Sequence, residues 1–117
     1  MNKIEALQKI KDSLETVTPQ VITPVGKVYE DYVKELSETL INSLIEPVRV
    51  TVISTCAQEG DFLKYKNSIV WGIAKNKGNW LLTLEKEPEF ALGFGENPKE
   101  IKMHGFSSQD ALGEWCA

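Results

Sequence analysis

Histidine occurs once in this chain, at His104, and cysteine twice, at Cys56 and Cys116. A site built on two imidazoles is thereby excluded within one chain, and neither cysteine has the CxxC or histidine spacing of a zinc site. The two thiols are also too few and too poorly placed for a disulfide framework, so they read as free thiols of a reducing compartment. No segment approaches the ~18 apolar residues of a membrane span. The amino terminus, Met-Asn-Lys-Ile-Glu-Ala, lacks the continuous apolar run of a signal peptide. The expectation is a cytoplasmic protein that does not enter a membrane. A phosphate-binding loop is missing too. Gly93-Phe94-Gly95 follows a strand-like run, but Pro98 stands where a third glycine would come, and no Gly-Lys-Ser or Gly-Lys-Thr occurs. Basic residues fall short of acidic ones, thirteen against seventeen, giving a net charge of −4. That sign disfavours a nucleic-acid backbone as partner.

What the chain does have is length and pattern. Its 117 residues read as a single α+β domain, 1–117, large enough to bury roughly two-thirds of the surface its unfolded form exposes. No metal or disulfide is required for folding, and no cofactor is expected. The stretch from Val48 to Leu84 carries three alternating segments. Valines at 48, 50 and 52 alternate through Thr55 as a first strand. Phe62 to Ala74 reads as a second, half-exposed early and apolar on both faces from Ile69 onward, with a bulge or bend near Asn67-Ser68. Trp80 to Leu84 forms a third, entered through Asn76-Lys77-Gly78-Asn79, where Gly78 suits a turn position with positive φ.

Register follows from the side-chain period of two. Asn76 facing Asn79 sets Ile73 opposite Leu82 and Trp71 opposite Leu84, and this is the preferred arrangement. A three-residue loop with Gly78 as a bulge would instead set Gly72 against Leu82 and Ala74 against Trp80. On the other side, Thr55 paired with Phe62 brings Val52 to Tyr65 and Val48 to Ile69. Phe90, Leu92 and Phe94 give a fourth short strand, and Lys99 to His104 is ambiguous between strand and loop.

Two helices precede the sheet. Ile4, Leu7, Ile10, Leu14 and Val17 form a narrow apolar stripe over residues 2–17. After Thr18-Pro19, a Thr23 cap and Pro24 open a second, longer helix running to Ile45 before Glu46-Pro47 stops it. At about 33 Å it would overhang ordinary strands of ~20 Å, so part of its apolar face needs the first helix or a second chain, and a homodimer is the expectation. Ser107, with Asp110 three residues on, has the spacing of a capping box for a short C-terminal helix over Ser108–Trp115. The fold class is therefore α+β: two N-terminal helices, the second long and packed on an antiparallel sheet of about four strands, then a short helix.

Function is argued by exclusion. Cys56 and His104 would need a third ordering group before they made a nucleophilic pair, and nothing in the sequence supplies one. The leading reading is a non-catalytic protein-protein interaction module, of the inhibitor, adaptor, immunity-type or regulatory kind. Its candidate contact residues are Glu30, Asp31, Glu35 and Glu38 on one face of the second helix, which also admits an acidic mimic of nucleic acid. The alternative is a small-molecule-binding domain with Tyr29, Tyr32, Tyr65, Trp71 and Trp80 lining a pocket between the long helix and the sheet. The apolar late half of the second strand must also be covered on both faces, and the cover of Val70, Gly72 and Ala74 is unassigned.

Overall fold

The protein is described here from a computed structural model over residues 1–56 and 60–117. Helix α1, Lys3–Thr16, begins at Asn2. The Asn2 side chain accepts from the Glu5 backbone N–H at 2.8 Å, and the Glu5 carboxylate accepts from the Asn2 N–H at 3.1 Å, satisfying two orphan donors of the first turn. The buried stripe runs through Ala6, Ile10 and Ser13, with Leu7 and Leu14 half-buried, while Ile4 is exposed. The expected stripe is thus rotated toward its small residues, which let the helix lie close to the sheet. Ser13 Oγ donates to Gln109 O at 2.6 Å and accepts from Ala111 N at 2.9 Å, tying this helix to the far end of the chain.

Helix α2 is shorter than expected. It spans Tyr29–Asn42 rather than Pro24 to Ile45, about 21 Å long. At the start, Gly26 takes a φ of +87°, outside any right-handed helix, and Val28 is extended. At the end, Leu44 and Ile45 leave the helix to pair in a strand. The overhang that argued for a homodimer is therefore absent, and Thr23 caps nothing.

Among the described residues the sheet has six strands: β1 Leu44–Val50, β2 Val52–Thr55, β3 Val70–Asn76, β4 Asn79–Leu84, β5 Phe90–Phe94 and β6 Ile101–Ser108. Their order is β1-β3-β4-β5-β6-β2. All neighbours are antiparallel except β2 and β6, which run parallel, so the sheet is mixed and larger than the expected four-stranded antiparallel one. Strands β1 and β2 sit at opposite edges yet are separated only by Thr51. A flat sheet of this order would hold its edge strands about 24 Å apart, whereas residues 50 and 52 reach at most about 7 Å from one another. The sheet must curl until both edges meet on one segment. Thr51 makes the seam: its N–H donates to Pro98 O at 2.9 Å and its carbonyl accepts from Ile101 N at 3.0 Å.

Curling gives the sheet an inside and an outside. Val50, Val52, Val70, Trp80, Leu82 and Met103 belong to the inner cluster. Ile10, Leu40, Ile73, Leu81, Phe90 and Leu112 belong to the outer one, beneath the helices. Leu81 and Leu82 thus serve opposite cores from adjacent positions, as the period of two requires. The cover over Val70 and Gly72 is the sheet itself, rolled over them. Glycine is needed there: a Cβ at Gly72 would lie 2.7 Å from the Trp80 ring.

The β3–β4 turn pairs Asn76 with Asn79, as expected, but the residue with positive φ is Lys77, not Gly78. Beyond Ala74, which faces Leu81, a bulge at Ile73 shifts the register, so Gly72 faces Leu82 and Trp71 faces Thr83. The bulge puts Ile73 and Ala74 together on the helix side. Residues Phe62–Lys66 form a short helix, α3, where a strand is expected. Phe62 and Tyr65 point inward at helical spacing and Leu63 points out. The pairing of Thr55 with Phe62 accordingly does not form. Instead Thr55 pairs with Met103, and Cys56 N donates to Met103 O at 2.9 Å. The middle of the expected Cys56–Asp61 loop lies outside the described residues.

Lys99 to His104 resolves as the start of β6, whose Ile101, Met103 and Gly105 are buried while Lys102, His104 and Phe106 are exposed. The C-terminal helix α4 is Ala111–Trp115, capped by Asp110, which accepts from Gly113 N at 2.8 Å. Ser107 is not its cap but part of β6.

Candidate functional site

Between α1 and α2 residues 17–28 form a strap without helix or strand, which turns at Pro24–Lys27, where Lys27 N donates to Pro24 O at 3.1 Å. Its early half alternates: Val17, Pro19, Val21 and Thr23 are half-buried, while Thr18, Gln20, Ile22 and Pro24 are exposed. Val21 packs against the outer core. Two hydrogen bonds pin the root of the strap. Gln20 N donates to Asp110 Oδ2 at 2.7 Å, and the Tyr29 hydroxyl donates to Pro19 O at 2.6 Å. Beyond that root, no backbone hydrogen bond joins Val21, Ile22 or Thr23 to the other described residues.

The outer half of the strap presents apolar side chains to solvent. Ile22 is 94% exposed, Val25 106% and Val28 59%. Burying a side chain of this size is worth about 1.5–3 kcal/mol, and the fold takes almost none of it from Ile22 or Val25. Single exposed aliphatics are ordinary; here three of them fall within seven residues.

Helix α2 follows at once with the four acidic residues read from the sequence. Glu30, Asp31, Glu35 and Glu38 are all exposed. Lys27 pairs with Glu35 at 2.8 Å and sits 5.4 Å from the Tyr32 ring centroid. The hydrogen bond to Glu35 is the first cause holding the Lys27 ammonium above its ordinary range. This is a solvent-facing pair of small energetic weight.

Beside the strap's root lies an open groove of about 630 Å³, lined among others by Thr16, Thr18, Gln20, Gln109, Asp110 and Glu114. The buried Asp110 accepts from Gly113 N and Gln20 N. Glu114 accepts from Ser108 Oγ at 2.9 Å, and burial, followed by the charge of Asp110, pushes its carboxyl above the usual range. No lysine or arginine is among the residues lining this groove. A second groove, about 310 Å³, lies between Asn67–Ile69 and Leu84–Glu87.

The five aromatic residues expected to line one pocket are not brought together. Tyr65 and Trp80 lie in the inner cluster, Trp71 packs on the outer one, and Tyr29 and Tyr32 stand on α2. None of them lines either groove. Tyr65, whose buried hydroxyl has no hydrogen-bond partner among the described residues, lies instead beside a polar knot that the sequence does not reveal. Ser107 donates its N–H and hydroxyl to Asp61 Oδ2 at 2.8 and 2.7 Å, and its Oγ lies 3.0 Å from Glu89 Oε1. Lys64 bonds Glu89 at 2.9 Å and Glu87 at 2.5 Å. Burial first, and then the charge of Glu89, hold the Tyr65 phenol above its ordinary range. The knot ties α3 to β6 and to the β4–β5 turn. Its only sequence signal is an aspartate before a short apolar run.

Cys56 is exposed at the end of β2, and His104 is exposed on β6, edge-on to Phe94 with ring centroids 6.4 Å apart. Burial raises the Cys116 thiol, which disfavours its thiolate. Among the described residues no group of three or more His, Cys, Asp or Glu is placed to hold a metal ion. No helix among them is long and apolar enough to cross a membrane. Comparison with protein-family models, curated proteins and solved structures finds no match to this chain.

Proposed function

We propose that this chain is a non-catalytic protein-interaction module whose contact surface is the strap and the acidic start of α2. The observation that carries the reading is the solvent exposure of Ile22 and Val25 on a segment fixed at its root. An anchored segment costs less entropy to dock than a free one, and its side chains are already displayed. Glu30, Asp31, Glu35 and Glu38 then form the polar margin of an apolar contact, the usual anatomy of a protein interface.

The test is Ile22→Ser/Val25→Ser/Val28→Ser. These side chains support the partner rather than the fold, so the variant keeps its unfolding free energy within about 0.5 kcal/mol. Affinity chromatography from the source extract then loses a protein that the parent retains. A destabilised variant, or an identical set of retained proteins, counts against the reading.

A further inference from the structure

We propose that the partner of this surface is a protein segment carrying aliphatic or aromatic residues next to lysine or arginine, one of whose basic side chains enters the groove at the strap's root. This inference rests on the reading of the chain as an interaction module and adds the chemistry of what it meets.

The segment's apolar residues are dictated by Ile22, Val25 and Val28, which offer methyl groups and no polar atom. Its basic residues are dictated by charge. Among the described residues Glu30, Asp31 and Glu38 have no ion-pair partner, and Lys27 is held by Glu35. Lys34 is the one cation within α2. At the opposite side of the root, the groove holds Asp110 and Glu114 without a basic residue in its lining. Both Asp110 oxygens already accept backbone N–H groups. Glu114 Oε2 takes the Ser108 hydroxyl, which among the described residues leaves Oε1 to receive a donor. An ammonium or guanidinium there has a carboxylate to pair with and relieves the repulsion between Glu114 and Asp110. Gln20 lines this groove, and Ile22 is two residues further along, so one segment spans the apolar residues and the groove together. Opposite charges beside such a contact also set orientation and speed encounter.

The experiment pans a library of random linear peptides, displayed on phage, against the full chain. Selected peptides are expected to join aliphatic or aromatic residues to lysine or arginine. Their binding is lost with Val25→Asp. It weakens about tenfold in Glu30→Lys/Glu38→Lys, and again between about 50 and 300 mM salt. Glu114→Gln weakens the same peptides while leaving the circular dichroism spectrum unchanged. Binders that depend on Val25 but carry no basic residue overturn the basic side chain in the groove and leave the interaction reading standing. If no peptide depends on Val25, both fail. Concentration-dependent sedimentation of the chain alone, abolished by Val25→Asp, would make a second copy the occupant and overturn the proposal.

Discussion

Val50 and Val52, two residues apart, pair with strands at opposite edges of the same sheet: Val50 with Val70 in β3 and Val52 with Ile101 in β6. This relationship forces the sheet to curl, divides its side chains between two cores, and fixes the outer face on which the helices and the strap lie.

The seam at Thr51 is the first place to test the curl. Thr51→Pro removes the N–H that Pro98 accepts and is expected to cost about 1–3 kcal/mol, read as a lower midpoint in urea. Thr51→Val keeps the backbone bonds at an exposed site and is expected to be close to neutral. Equal stability of the two variants would mean that the seam does not hold the sheet closed.

Filling the inside of the curl tests its radius. Gly72→Ala places a methyl against the Trp80 ring and the Val50 side chain, so overpacking is expected to cost about 1–3 kcal/mol. Trp80 also donates to Gly95 O at 2.7 Å, and displacement of the ring is expected to shift its fluorescence. A neutral substitution with unchanged emission would show that the interior has room to spare.

The groove makes a prediction in pH. Burial raises the Glu114 carboxyl in the folded chain above its unfolded value, so the folded state binds its proton more tightly. Stability from this group is present in acid and falls as pH rises from the ordinary carboxyl range through the raised value. Glu114→Gln removes that loss while an amide oxygen still accepts from Ser108. The variant is expected to be more stable than the parent at pH 7, with the difference vanishing below about pH 4. A parent as stable as the variant across this window would remove the buried-carboxyl account.

Parts of this fold are legible in the residues and parts are not, for physical reasons. Trp80 to Leu84, Phe90 to Phe94 and the Asn76–Asn79 turn follow from alternation and local turn chemistry, because those strands pair with near neighbours. The edge-to-edge closure does not, because the β2–β6 pairing joins segments far apart in sequence and neither carries a signal naming the other. Phe62 to Lys66 satisfies a period of two and one of three to four equally in so short a run, and the inward anchoring of Tyr65 decides for helix. The Pro24 helix start fails on Gly26, whose left-handed backbone interrupts an otherwise continuous apolar pattern. The acidic face of α2 is readable from spacing. The strap beside it is not, since periodicity shows which residues are apolar but not which of them the fold leaves uncovered.

The most direct test of the interaction reading is photo-crosslinking through benzoylphenylalanine placed at Val25, compared with the same group at the exposed Lys11 on α1, in the source extract. The account predicts a discrete protein adduct at position 25, none at position 11, and loss of the adduct when Ile22→Asp is added. Equal labelling at both positions, or an adduct indifferent to Ile22→Asp, would contradict it.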